Sequence, residues 1–243
     1  MPGEERDSEK INPSVREETG IEGLDEEIGG GFPKNSTVIL LGPPGVGKTT
    51  FINQFMNAGL EKGQGGIYIS LDDSPDELKE SASNMGWKFD NYSQDDVIFI
   101  DGYSWRLGGG EESGKFTIEG PSDLNQMNMT LSDAFRELSK EEKRVVLDSV
   151  STLILYTNPS SSVKFLQVVC AKSKAVNGTT LLSVEEGVHD QKTVTTLNYV
   201  ADAVIELKLE DNDRYMRISR MAKTSHSRDW MQFKITDNGI EMV

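Results

Sequence analysis

Gly42-Pro43-Pro44-Gly45-Val46-Gly47-Lys48-Thr49 carries the residue types that phosphate recognition needs, in the spacing it needs. In the pattern Gly, four residues, Gly-Lys-Thr, successive backbone N–H groups turn inward onto phosphate oxygens, and the N-terminus of the following helix adds favourable charge. Gly45 and Gly47 let the backbone approach phosphate where a Cβ would clash. Lys48 can reach the β- and γ-phosphates, the Thr49 hydroxyl can ligate Mg²⁺, and Thr50 is placed to meet an α- or β-phosphate oxygen. Asp72 and Asp73 follow the apolar run 66–71 and are candidates for a catalytic role facing the phosphates. Asp148 ends the run 143–147. In a phosphate-loop protein the strand beside the loop strand presents such an aspartate to the Mg²⁺ shell, usually through water.

The elements around these residues must put them on one edge. Residues 37–41 form an apolar run bounded by turn signals, and Phe51, Ile52, Phe55 and Met56 follow the loop at helical spacing, which predicts strand, phosphate loop and helix. Before them, Ile21, Leu24 and Ile28 predict a short helix stopped by Gly29-Gly30-Gly31. Asp72 and Asp73 sit at the C-terminal end of a second strand, where open parallel sheets bind ligands. Ser74-Pro75-Asp76-Glu77 next reads as a helix start with N-cap, proline at N1 and capping-box glutamate. Residues 97–101 predict a third strand, and 104–121, rich in glycine, a long mobile loop that packs poorly. Trp105 and Arg106 at its start read as ordinary packing. Leu124, Met127, Leu131, Ala134, Phe135 and Leu138 mark the core face of a helix, Asn158-Pro159 starts another with Val163, Leu166, Val169 and Cys170 inward, and Val194, Leu197 and Val200 mark one more. Residues 179–184 form a further strand, and Glu185-Glu186 after it lie at the ligand-bearing edge, with a solvated loop as the commoner explanation; His189, in a polar loop, reads as solvated. From Ala203 the period changes to two, with turns at 210–213 and 237–239. The fold expected is α/β, a mostly parallel central sheet flanked by helices with C-terminal antiparallel hairpins.

The 243 residues suit one α/β domain, preceded over residues 1–16 by a charged, flexible tail with little to bury. Lys plus Arg total 25 against 40 Asp plus Glu, a net charge of −15, which repels polyanions and makes nucleic acid and anionic membranes poor partners. The single cysteine, Cys170, cannot form an internal disulfide and reads as a small buried hydrophobe in a reducing compartment. No hydrophobic signal region opens the chain and no apolar run reaches membrane-spanning length, so a soluble cytoplasmic protein is expected.

Four stretches together resemble the KaiC-like branch of the RecA-superfamily ATPases, particularly its single-domain archaeal members. They are residues 19–25, the loop 42–50, residues 145–151, and Thr224-Ser225-His226 followed by 233–240. The resemblance covers about residue 19 to the end. It implies a RecA-like core over residues 17–243, Mg-ATP bound between neighbouring subunits, and assembly into a ring, often of six. In that family a pair of glutamates activates the attacking water. Here Asp72 and Asp73 match them, shorter by one methylene or about 1.5 Å of reach, which implies slow hydrolysis. Basic residues before a Gly-Thr segment reach the next subunit's γ-phosphate in the family; here Arg220 and Lys223 are the matches, with Ala222 where a second arginine would stand. His226 matches a position near the nucleotide. Arg217, Arg220 and Lys223 can equally be an exposed strand face.

The expected function is therefore a Mg-dependent, slowly ATP-hydrolysing, oligomeric regulatory switch acting on a protein partner. A DNA-recombination accessory ATPase is a second class of reading, opposed by the net charge and the lack of an evident basic DNA loop. A hydrolysis-deficient nucleotide sensor that binds partners through 104–121 is a third. Autophosphorylation has no specific acceptor in the sequence.

Overall fold

A computed structural model describes residues 16–107 and 114–243. Its elements in chain order are β1 (Arg16–Glu17), α1 (Glu22–Glu27), β2 (Phe32–Pro33), β3 (Thr37–Gly42), α2 (Lys48–Glu61), β4 (Gly65–Ser70), α3 (Pro75–Ser83) and β5 (Val97–Asp101). There follow α4 (Leu124–Glu137), β6 (Lys143–Asp148), α5 (Val150–Tyr156), α6 (Pro159–Ala175), β7 (Gly178–Glu185) and α7 (Gln191–Val200). The chain closes with β8 (Ala203–Glu210), β9 (Asp213–Met221), β10 (Met231–Thr236) and β11 (Gly239–Met242).

Nine strands form one sheet in the order β11-β10-β9-β8-β3-β7-β6-β4-β5. From β8 to β5 neighbours are parallel; β9, β10 and β11 extend the sheet antiparallel, as the change of period at Ala203 predicts. The parallel strands are buried on both faces, which is why they read as unbroken apolar runs. Their side chains alternate between two cores. Val38 and Leu40 of β3, Tyr68 of β4 and Val146 of β6 join α1, α2, α3 and the inner face of the antiparallel strands. Ile39, Ile67, Ile69, Val145 and Leu147 join α4, α5, α6 and α7. Cys170 is buried in the second core.

Four expectations need correction. The Asp148 strand, β6, does not lie beside the loop strand: β7 is between them. Residues 114–121 are not loose, because Phe116 and Ile118 are buried in the second core and Asp101 bridges to Thr117; residues 108–113 of the expected loop lie outside the described residues. The expected tail, 1–15, also lies outside them, but Arg16 is buried in β1, donating to Thr224 Oγ1 at 2.7 Å and to Lys223 O at 3.1 Å. Finally, α5 was not expected, although Val150, Leu153 and Ile154 have helical spacing and the Ser149 side chain accepts from Thr152 N at 3.2 Å.

Arg144, fully buried in β6, ties the first core together. It donates from Nε to Gln64 Oε1 at 2.8 Å and from Nη1 to Phe55 O, its Nη2 lies 3.3 Å from Glu17 Oε1, and its guanidinium stands 4.4 Å from the Phe55 ring centroid. One side chain thereby joins β1, α2 and β6. Burial lowers its pKa, and the carboxylates of Glu17 and Asp25 oppose that effect.

Candidate nucleotide-binding site

Gly42, Pro43, Pro44, Gly45, Val46 and Gly47 turn the chain from the end of β3 into α2. Gly47 is the N-cap of α2 at φ 112°, and a Cβ there would lie 2.6 Å from Ile235 Cδ1. A side chain at this position meets both a strained backbone and a steric wall. The loop opens into a cleft of about 360 Å³ lined by Gly45, Gly47, Lys48, Thr49, Thr50, Asp72, Asp73, Asp148, Glu185 and Ile235. The structure thus brings together the loop and all three aspartates singled out in the sequence. Parallel register explains it: Ser70 of β4 pairs with Asp148 of β6, and Gly42 of β3 pairs with Glu185 of β7, so each strand's last residue meets the same edge.

Asp148 is buried with its charge only partly matched. Thr49 Oγ1 donates to Asp148 Oδ2 at 3.5 Å, Tyr68 OH to the same oxygen at 3.4 Å, and Ser183 Oγ to Oδ1. Burial pushes the Asp148 carboxyl up to about 6; the Ser183 hydroxyl opposes this, while Asp72 and Asp73 add to it. Burial, followed by Asp148 itself, holds the Tyr68 phenol well above its usual range. A buried carboxylate beside a threonine hydroxyl is a hard oxygen pair that suits Mg²⁺.

Asp72 Oδ1 accepts from Thr152 Oγ1 of α5. Asp73 is raised by burial first, and then by Asp72 and Glu77. Ser74 and Glu77 form the expected capping box, with Ser74 N donating to Glu77 Oε2 at 2.9 Å and Glu77 N to Ser74 Oγ at 3.3 Å. Of the expected packing pair, Trp105 meets Tyr156 of α5 edge-on at 5.4 Å, whereas Arg106 is exposed with its guanidinium 4.9 Å from the Tyr103 ring.

Two residues read as solvated are part of this edge. Lys48 Nζ donates to Gly42 O and Pro43 O, each at 3.0 Å, and pairs with Glu185 Oε1 at 2.9 Å. Glu185 N donates to Ser151 Oγ at 2.9 Å, and His189 Nε2 lies 2.8 Å from the same hydroxyl. His189 is half-buried, and burial lowers its pKa. The sequence signal available for Glu185 was its position at the end of a strand of unbroken apolar character; its neighbourhood to Lys48 depends on strand order.

Arg220 and Lys223 lie at the other edge of the sheet. Arg220 pairs with Val204 near the start of β8, and Ala222 N donates to Asp202 O, while Asp202 Oδ2 accepts from Thr37 N at the start of β3. Arg220 Nη2 donates to Asn198 O at 2.6 Å and to Ala201 O, closing α7. Lys223 adopts φ 56°, and His226 Nδ1 lies 2.7 Å from Ser227 O. Arg217 pairs with Glu206 at 2.6 Å and lies over Trp230.

A parallel sheet ending in a phosphate loop at one edge, with a buried aspartate one strand removed, defines a nucleotide-binding ATPase of the RecA superfamily. A family model described as the ATPase KaiC matches residues 17–243, so the chain belongs to the KaiC ATPase family. It is similar to the UPF0273 protein MK0039 of Methanopyrus kandleri, 29% identical over 233 residues covering 93% of this chain and 91% of that protein. It is 31% identical to the UPF0273 protein PH0284 of Pyrococcus horikoshii over 232 residues, 93% and 92% of the two chains. Among solved structures, the KaiC-like protein PH0186 from Pyrococcus horikoshii superposes with a TM-score of 0.77 at 25% identity, covering 94% of this chain and 98% of that one.

Proposed function

We propose that this chain binds Mg-ATP in the cleft between the phosphate loop and Asp148, hydrolyses it slowly, and acts in the cytoplasm as a ring-forming, nucleotide-driven switch. The observation that carries the reading is the convergence of Lys48, Thr49 and Asp148 at one sheet edge, with Thr49 Oγ1 3.5 Å from Asp148 Oδ2. Thr49 and Asp148 would hold Mg²⁺, directly and through water, and the ion would supply charge neutralisation at the β- and γ-phosphate oxygens. The loop's N–H groups and Lys48 orient the phosphates, and Asp72 or Asp73 faces the attacking water.

The placement of Arg220 and Lys223 supports an assembly. Strand β3 runs Thr37–Gly42, roughly 17 Å from edge to edge at ~3.3 Å per residue. An arginine at its start cannot span that length to its own phosphate loop, whereas a front-to-back neighbour would bring the two edges together. Such a contact would let γ-phosphate hold one subunit arrangement and hydrolysis release it, for a protein partner to read. The hydrolysis-deficient sensor remains as a second reading, favoured by one observation: Thr152 engages an Asp72 oxygen. Titration with a non-hydrolysable ATP analogue tests the binding step. The reading expects Mg²⁺-dependent affinity that Lys48→Ala removes; binding indifferent to both Mg²⁺ and Lys48 contradicts it.

A further inference from the structure

Four carboxylates line the cleft, and three are already engaged or disfavoured as charges. Asp148 accepts from Thr49, Tyr68 and Ser183. Asp72 accepts from Thr152. Asp73 stands half-buried beside Asp72 and Glu77, which disfavours its charged form. The fourth, Glu185, differs from all of them. Its Oε1 holds Lys48 Nζ at 2.9 Å, and its Oε2 is buried with no hydrogen-bond partner among the described residues. A buried carboxylate oxygen without a donor is costly unless a ligand or water supplies one.

The backbone fixes where that oxygen can act. Strand β7 lies between the phosphate-loop strand and the Asp148 strand, and its last residue lines the same cleft as Lys48 and Asp148. Glu186 N donates to Gly42 O at 3.0 Å and Glu185 N to Ser151 Oγ at 2.9 Å, pinning the segment to the loop on one side and to α5 on the other. A glutamate also reaches about 1.5 Å farther than the aspartates at 72 and 73.

We infer that Glu185 is a catalytic residue of the proposed hydrolysis: its Oε2 accepts a hydrogen bond from the attacking water while its Oε1 steadies Lys48 at the γ-phosphate. This rests on the reading of the chain as an ATP hydrolase. In the step, the water oxygen bonds to the γ-phosphorus and the bond from phosphorus to the β,γ-bridging oxygen breaks, its electron pair leaving with ADP. The water proton passes to Glu185 and from there to solvent. Glu185 thereby supplements Asp72 and Asp73, whose shorter side chains have about 1.5 Å less reach to the same water, from a neighbouring strand.

The test uses the full chain, wild type, Glu185→Gln and Glu185→Asp. It measures single-turnover phosphate release with Mg-ATP, affinity for a non-hydrolysable ATP analogue, and trapping of ADP with fluoroaluminate, which imitates the transferring phosphoryl group. The expected result is that Glu185→Gln keeps analogue affinity within about threefold, loses at least tenfold in single-turnover rate at saturating ATP, and no longer traps ADP–fluoroaluminate; Glu185→Asp recovers part of both losses. A hydrolysing wild type whose Glu185→Gln rate stays within twofold overturns the inference alone, as does a variant whose only defect is weaker analogue binding. A wild type that binds the analogue but releases no phosphate overturns the hydrolysis reading and this inference with it.

Discussion

Asp148 is buried as a carboxylate at a cost to stability, where the proposed site would use its charge. A charged carboxylate with its folded pKa at about 6, above the ordinary 3.8, costs the fold free energy at every pH above that value. The sign follows directly: the folded state binds the proton more tightly than the unfolded state. The cost is full above about pH 6 and fades as pH falls toward 3.8. Asp148→Asn should therefore raise the stability of the protein measured without nucleotide at pH 8 by roughly 1–3 kcal/mol, with the gain shrinking near pH 4. The same substitution should abolish the Mg²⁺ dependence of nucleotide binding. Thermal melts at the two pH values and analogue titrations with and without Mg²⁺ check both halves. A variant less stable at pH 8 than at pH 4, relative to wild type, would show that the hydrogen bonds from Ser183 and Tyr68 outweigh the desolvation of the charge.

At the scale of elements, Arg144 couples β1, α2 and β6 through the first core. Removing it leaves the Glu17 carboxylate buried without its cation, so Arg144→Ala should cost about 3–5 kcal/mol, read as a drop in the denaturation midpoint. A loss under 1 kcal/mol would mean that the core relaxes to admit water at Glu17. Which elements were legible in the sequence follows from the same physics. Local signals such as the phosphate loop, the capping box at Ser74 and the two-residue period after Ala203 depend on neighbours in the chain, and they read true. Strand order depends on crossovers between distant segments. The expectation that put β6 beside β3 failed for that reason, and so the pairing of Glu185 with Lys48 stayed hidden. Thr152 was missed for a different cause: α5 has only seven residues, too short for its period to stand out between Asp148 and the clear start at Asn158. Phe116 and Ile118 were lost in the surrounding glycines, since two apolar residues carry no period at all.

At the scale of the whole molecule, the two edges of the sheet hold complementary halves of the proposed site. The phosphate loop and carboxylates lie at one, and Arg220 and Lys223 at the other. Among the described residues no helix is long and apolar enough to cross a membrane. If neighbouring subunits complete each site, a paired variant Arg220→Ala with Lys223→Ala should bind the ATP analogue within about threefold of wild type and lose most turnover. Mixing it with Lys48→Ala should restore part of that turnover, because some interfaces would then join an intact phosphate loop to an intact basic edge. Failure of the mixture to exceed the sum of its parts would place the whole reaction within one chain. The most direct measurement is ATP turnover per subunit with Mg²⁺ across a range of protein concentrations, beside Lys48→Ala. A shared site predicts turnover that climbs with concentration to a plateau and vanishes in the variant. Turnover per subunit that is independent of concentration, or that survives loss of Lys48, would contradict it.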